Sequence, residues 1–494
     1  MGLHCITHAQ THRLWDVAST RRLEVQAAAA LPPNTLMRRA GLSIARLVMA
    51  LRPHAQRVWV ACGPGNNGGD GLEAATQLHL RGVKVIVTWA GHASDAPMDS
   101  QQAYQRLMSA GLPISARAPE HADVCVDAML GIGATRGLQG DMAAWAQHMT
   151  HLRQQGALVL AADLPSGLHV DTGHLLNEQA PTVHADVTLS LLTLKPGLFT
   201  GHGRDVAGQV WLDDLQVMLS NQEQESDYLQ GLPVKKTLKH NSHKGSYGDV
   251  AVIGGAQGMR GAAMLAACAA MHAGAGRVFV CLLDEAEGEG GQSTASSVQP
   301  ELMFRHIDTL DLTQRCVVAG CGGGTAIARH LSAVLQQSKQ LVLDADALNA
   351  IAQDPALQTL LTQRTAPTVI TPHPLEAARL LNASSAQVQQ DRLAAAQQLA
   401  QTFQCTVVLK GSGTVVAAPS RAPVINPTGN ALLARGGTGD VLAGMVGAAL
   451  ASTTTSGLTT FEATCQAVFL HGHLADQWPA QAPWSASLLA AAVR

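Results

Sequence analysis

The segment GPGNNGGDG at 63–71 sets five glycines around two amides and a carboxylate. It follows the β-branched run RVWVAC and precedes the helical pattern LEAATQLHLRG, so it sits at a strand-to-helix turn. Gly63, Gly65 and Gly68 satisfy the G-x-G-x-x-G spacing of a dinucleotide-binding turn, in which a pyrophosphate lies on the helix N-terminus. The acidic residue that should end the next strand is missing, because VKVIVTWAGH runs out in Trp89, Ala90 and Gly91, which disfavours a standard NAD dehydrogenase. What sets the loop apart is Asn66, Asn67 and Asp70 among glycines, where backbone amides and side-chain oxygens converge on one small ligand or cation. A turn rich in Asn and Gly for conformational reasons fits the same residues equally well.

Two further loops follow strand-like runs. VDAMLGIGATRGLQG at 126–140 puts Asp127 at a strand end with a glycine-rich loop behind it, and DLPSGLHVDTG at 163–173 puts Asp163 and Ser166 after another. In an open α/β sheet the carboxyl ends of the strands line one crevice, so residues far apart in sequence can meet there. Asn67, Asp127 and Ser166 then supply hard oxygen ligands suited to an alkali or alkaline-earth cation rather than to zinc. Asp163 stays available as an acid or base; as a plain turn residue ahead of Pro165 it would be unremarked.

Downstream, NPTGNALLARGGTGDVLAGMVGAAL at 426–450 carries the most chemistry. Gly436, Gly437, Thr438 and Gly439 form a turn directly before a helix, with Asp440 at its start. Unpaired amides at that end make an anion hole for a transferring phosphoryl group, and Asp440 can take the proton from an attacking hydroxyl. Taken alone, Asp440 is also simply a favoured N-cap residue. No G-x-x-x-x-G-K-[ST] sequence occurs, so any nucleotide use is not of the P-loop kind.

The elements that must hold these loops are legible as alternating runs. Short apolar segments at 57–61, 83–89, 124–127 and 158–162 alternate with Ala/Leu-rich stretches of helical length, which implies a parallel sheet covered by helices. A polar, Gln/Glu/Ser-rich stretch at 213–239 interrupts them, and the same grammar restarts with candidate strands at 250–254, 277–281, 316–320, 340–344, 368–371 and 406–410. The reading is two α/β domains at 1–220 and 240–494, joined by a linker at 221–239. At 494 residues the chain is long enough for separate cores, and 47% hydrophobic with 14% charged residues is a globular composition. A formal net charge of −3 with no basic stripe excludes the footprint of a nucleic-acid binder. The nine cysteines occur singly without any CxxC pair and read as reduced core residues. With no signal-peptide pattern and no membrane-spanning run, the expected location is cytoplasmic.

Together GPGNNGGDG, the Asp127 loop, DLPSG and LKPGLFTGHG at 194–203 resemble the NAD(P)H-hydrate epimerase domain, over about residues 14–214. The resemblance implies a Rossmann-like, three-layer α/β/α domain that binds hydrated NADH or NADPH and a potassium ion. It implies substrate contacts from Asn66, Asn67, Gly68, Gly69 and Asp70, from Gly131, Ile132, Gly133, Ala134, Thr135, Arg136 and Gly137, and from Asp163. Asn67, Asp127 and Ser166 would hold potassium. Asp163 is the candidate acid/base, with Lys195 a weaker candidate for charge stabilisation that a solvated loop lysine would explain as well.

The second half resembles the ADP/ATP-dependent NAD(P)H-hydrate dehydratases, relatives of the ribokinase-like kinases, over about residues 234–493. The motifs are AGCGGGT at 319–325, LDADALN at 343–349, TPHPLEAARLL at 371–381, VVLKGSGTVV at 407–416 and GGTGD. The resemblance implies that Lys410, Gly411, Ser412, Gly413, Thr414 and Gly439 bind ADP or ATP with Mg2+. Ala262, Gly322, Gly324, His373 and Asp440 would surround the hydrate. A homo-oligomer is implied as well. Two departures stand out: NALLARGG replaces a GNPGMATGG-like stretch, and PLE stands where PGE is common. Two other readings fit parts of the pattern, a kinase of a small alcohol in the second half and a non-catalytic nucleotide-binding or protein-binding module in the first.

Overall fold

Strands that are apolar at every position, rather than at alternate ones, belong in a sheet covered on both faces. The runs at 58–62, 124–126, 159–162 and 250–253 are of this kind and are fully buried. The computed structural model describes residues 2–217, 227–233, 240–283 and 299–493. The chain forms two compact units, Met1–Thr7 with His12–Tyr228, and His8–Thr11 with Leu229–Arg494. Of the stretch read as a linker, 221–226 and 234–239 lie outside the described residues, and Asp227–Leu229 is a short strand.

In the first unit the sheet runs in the order His4–Cys5, Gln209–Asp213, Val187–Leu191, Leu158–Ala162, Val124–Ala128, Arg57–Cys62, Lys84–Trp89. All neighbours are parallel except His4–Cys5. One face packs the helices Thr35–Leu51, Asn66–His79 and Met98–Ser109, through residues such as Ile44, Leu72 and Leu107; the other packs Gly140–Gln154 through Ala146, Met149 and Leu152. From Arg57–Cys62 the chain goes to Lys84–Trp89 on one side and then to Val124–Ala128 on the other. That reversal is a topological switch point, where an open α/β sheet forms its ligand crevice.

The second unit repeats the plan. Its sheet orders Met303–Phe304, Arg277–Leu282, Asp249–Gly254, Cys316–Ala319, Gln340–Leu343, Thr368–Ile370 and Thr406–Leu409 in parallel, continued antiparallel by Val415–Ala417 and Val424–Ile425. The helices Arg260–His272 and Thr438–Ala451 cover one face and Ala328–Gln337 with Arg392–Phe403 the other. Small residues let the first pair close on each other: a Cβ on Gly444 would lie 2.0 Å from the Ala266 carbonyl oxygen. Asp249–Gly254 and Cys316–Ala319 make the second switch point. All nine cysteines are free thiols. Among the described residues no helix is long and apolar enough to cross a membrane.

Two candidate active sites

At the first switch point the two loops interlock through glycines. Gly63 N–H donates to the Ala128 carbonyl at 3.0 Å, and a Cβ on Gly63 would lie 1.7 Å from the Met129 carbonyl oxygen. The helix Asn66–His79 begins at Gly65 without a side-chain cap, leaving its first amides for a ligand. Above it opens a cavity of about 720 Å³, lined among others by Asn66, Asn67, Asp70, Asp163 and Lys195. That volume suits a nucleotide-sized guest. Of the second expected loop, Gly131, Ile132, Gly133 and Ala134 line the cavity, whereas Thr135, Arg136 and Gly137 continue beyond its wall. Gly68 and Gly69 face protein rather than the cavity: a Cβ on Gly68 would strike the Gly63 carbonyl, and one on Gly69 the side chains of Met37 and Ser100.

Asp163 follows the strand Leu158–Ala162 and holds a left-handed backbone, φ 67°, that a non-glycine residue adopts at a cost. Its Oδ1 accepts from Leu191 N–H at 3.0 Å and from the Lys195 ammonium. Lys195 is 1% exposed and also donates to the Leu191 carbonyl at 2.7 Å, which overturns the reading of a solvated loop lysine. The turn therefore presents a buried carboxylate with its own counter-ion to the cavity.

Asp127 is fully buried. Its Oδ1 accepts from Ser166 Oγ at 2.7 Å and Met129 N–H at 3.2 Å, and its Oδ2 accepts from Ser166 N–H at 2.8 Å. Burial pushes its carboxyl up to about 6, against those hydrogen bonds. Asn67 is buried with neither amide atom partnered, and it abuts the Gly131 loop, where a Cβ would lie 3.0 Å from its own. A buried amide left unpaired costs about 1–3 kcal/mol. The unpartnered Asn67 amide oxygen is the donor of the expected set that fits a monovalent cation held by oxygens, whereas both Asp127 oxygens accept from Ser166 and Met129.

In the second unit, Asp440 occupies the first turn of Thr438–Ala451, whose start at Gly437, φ 89°, carries no side-chain cap. Asp344 ends the strand Gln340–Leu343, and its Oδ1 accepts from Lys410 Nζ at 2.7 Å and Thr371 Oγ1 at 2.7 Å. A carboxylate oxygen of each Asp and Cys321 Sγ lie within 4.8 Å of one another. Burial, and next the Asp344 charge, push the Asp440 carboxyl up to about 6. Lys410 reaches the turn as well, since a Cβ on Gly439 would lie 3.4 Å from its Nζ. Behind the turn His471 faces the Thr438 carbonyl at 3.0 Å. Burial lowers its pKa to about 4, so the ring is neutral and Nε2 is the protonated nitrogen.

The loop after Cys316–Ala319 brings the next expected residues together. Gly322, φ 58°, packs so that a Cβ would lie 2.9 Å from Ala262 Cβ, and Gly324 donates to Asp346 Oδ2 at 2.8 Å. His373 caps a helix. Its Nδ1 accepts from Leu375 N–H at 3.1 Å and Glu376 N–H at 3.2 Å, while Glu376 accepts from His373 N–H at 2.8 Å. This capping box opens the helix Pro374–Leu381 and fixes the loop in which PLE stands. In the KGSGT loop, Gly411 takes φ 148° directly over Arg392, and Thr414 Oγ1 donates to the Gly411 carbonyl at 3.0 Å. Arg392 is 1% exposed and donates to the Leu409 carbonyl at 3.1 Å; among the described residues no carboxylate pairs with it.

A family model described as NAD(P)H-hydrate dehydratase matches residues 250–493, and one described as YjeF-related protein N-terminus matches residues 33–197. The bifunctional NAD(P)H-hydrate repair enzyme of Escherichia coli K12 is 37% identical to this chain, over 94% of it and 89% of the relative. The chain belongs to the bifunctional NAD(P)H-hydrate repair enzymes. The repair enzyme of Coxiella burnetii is 35% identical over 90% of each chain. Among solved structures, an ADP/ATP-dependent NAD(P)H-hydrate dehydratase from Bacillus subtilis, co-crystallized with ATP/Mg2+, is 30% identical over 52% of this chain and 90% of its own, with a TM-score of 0.45.

Within this repair-enzyme chain, sequence reasoning missed Glu24, Arg21 and Asp99 in the first cavity, and Asp344, Cys321 and Arg392 beside the second site. Arg21 and Glu24 share one face of the helix Val17–Ala30 at i, i+3 spacing, a signal that reads equally as a solvated face.

Proposed function

We propose that this chain repairs hydrated NADH and NADPH at two sites. The first unit interconverts the R and S hydrates. The second removes water from the S hydrate at the expense of ADP and releases AMP and phosphate. The observation that carries the reading is Asp440 in the first turn of an uncapped helix, beside the Asp344–Lys410 pair, on a chain whose relatives are NAD(P)H-hydrate repair enzymes.

In the second unit the amides at the start of Thr438–Ala451 receive the transferring phosphoryl group. Asp440 takes the proton of the ring hydroxyl, whose oxygen attacks the terminal phosphorus of ADP, and AMP leaves. Phosphate then departs with the electron pair of the C–O bond, and loss of a proton from the neighbouring carbon forms the ring double bond. Lys410 offsets charge on the phosphoryl oxygens. Ala262, Gly322, Gly324 and His373 surround the hydrate, while Lys410, Gly411, Ser412, Gly413, Thr414 and Gly439 seat the nucleotide. Magnesium would come with the nucleotide phosphates and offset their charge, and Asp344, the carboxylate beside the base, would hold it. In the first unit Asp163, held in place by Lys195, handles protons at the carbinol carbon. Potassium would be held by Asn67, Asp127 and Ser166, where its charge offsets Asp127 and helps order the loops.

Product analysis tests the reading: the account expects AMP, orthophosphate and reduced nicotinamide in equal amounts. A stable phosphate ester would instead make the second unit a kinase of a small alcohol. A pH dependence follows too. The base works ionised and its carboxyl is pushed up to about 6, so kcat/KM for the S hydrate holds level above that pH. Below it the rate falls about tenfold per unit as Asp440 is protonated. A profile on the purified S hydrate measures this limb.

A further inference from the structure

A second carboxyl faces the first cavity from another strand end. Asp70 stands in the helix Asn66–His79, which follows the strand Arg57–Cys62, whereas Asp163 follows Leu158–Ala162. One strand lies between them, with Ala61, Asp127 and Ala161 in register. Two strand spacings of about 4.8 Å separate the two strands, and Asp70 stands eight residues beyond Cys62, in the second turn of its helix. Both residues line the cavity of about 720 Å³. A six-membered ring bound in that cavity has Asp70 and Asp163 on the walls around it.

A hydrated dihydronicotinamide carries its hydroxyl on a carbon bonded to the ring nitrogen. The nitrogen lone pair can expel that hydroxyl as a ring oxygen expels a glycoside's leaving group. Inverting glycosidases perform such a reaction with carboxyls roughly 6.5–9.5 Å apart, one protonating the departing oxygen and one activating water on the opposite face.

We propose that Asp70 is a second catalytic residue of the epimerase, a general acid and base paired across the ring with Asp163. This rests on the epimerase reading of the first unit. In one direction Asp70 gives its proton to the hydroxyl oxygen, the C–O bond breaks and water leaves, while the nitrogen lone pair forms a C=N bond. Water then adds from the Asp163 side and passes a proton to that carboxylate. The reverse reaction exchanges the two roles, and solvent restores the protons between turnovers. One water leaves and one enters, so nothing is consumed. Burial, followed by the charges of Asp163, Glu24, Asp99 and Glu73, holds the Asp70 carboxyl well above the usual carboxylate range, which keeps a proton on it to give.

The test is inversion of purified R hydrate by the full chain in heavy-oxygen water, comparing wild type with Asp70→Asn. The expected result is one solvent oxygen incorporated per inversion by the wild type, and inversion about 10²–10⁴-fold slower in the variant, with a thermal melting curve like the wild type's reporting that both units are folded. Inversion at the wild-type rate in Asp70→Asn, or wild-type inversion that keeps the original oxygen, overturns the proposal; the second outcome means that the ring opens and recloses. If Asp70→Asn does not fold, Asp70→Ser, equally without a carboxyl, takes its place under the same two criteria. Absence of any inversion by the wild type is a different result, and it removes the epimerase reading itself.

Discussion

In the Asp440→Asn variant, conversion of the S hydrate to reduced nicotinamide falls by about 10²–10⁴-fold, while interconversion of the R and S hydrates continues. The asparagine matches the carboxylate in size and keeps a polar contact available to Cys321, but it cannot take the hydroxyl proton. The anion-binding helix start, the Asp344–Lys410 pair and the Gly322–Gly324 loop all remain, so the nucleotide still binds. The expected signature is therefore a lost kcat with KM for ADP little changed, read by steady-state kinetics and by orthophosphate release. A variant that retained most of its rate would move the base to Asp344, the other carboxylate at the site.

The complementary result comes from the first unit. Asp163→Asn preserves the acceptor for Leu191 N–H and Lys195 but removes the proton-handling oxygen, so epimerisation slows by about 10²–10⁴-fold while dehydration of the S hydrate is untouched. Asp163→Ala does more. Both substitutions leave an ammonium that is 1% exposed without its counter-ion, and removing one partner of a buried ion pair costs about 3–5 kcal/mol, but only the alanine removes the hydrogen-bond acceptor as well. Thermal melting of the two variants separates the effects: both lose epimerisation and both melt below the wild type, the alanine lower still because it also leaves Leu191 N–H and Lys195 without their acceptor.

Most of the parallel strands and the loops at their ends were legible because burial on both faces makes those strands largely apolar, and because glycines at 63–71, 131–137 and 436–439 stand out against such runs; Val187–Leu191 and Gln209–Asp213, which mix polar with apolar residues, were not read as strands. Asp163 and Asp440 were legible for the same reason, each being a carboxylate directly after an apolar strand or turn. What could not be read was pairing across the sheet. Lys195 looks like any loop lysine until its partner 32 residues away is known, although its setting in LSLLTLKPGLF, one charge among apolar residues, hints at burial. Asp344 meets Lys410 66 residues on, and nothing in LDADALN names that partner. His373 shows the opposite case: His-Pro-Leu-Glu has the spacing of a capping box, so its cap role was open to reading beside the substrate role.

The central claim is that two active sites on one chain repair a mixture that neither could repair alone. Its most direct test adds ADP, magnesium and potassium to the full chain with mixed R and S hydrates and follows the absorbance of the reduced nicotinamide ring. The account predicts full recovery by the wild type, recovery that halts at the S fraction in Asp163→Asn, and none in Asp440→Asn. Full recovery by Asp163→Asn at the wild-type rate, or no recovery by the wild type with either ADP or ATP, would contradict it.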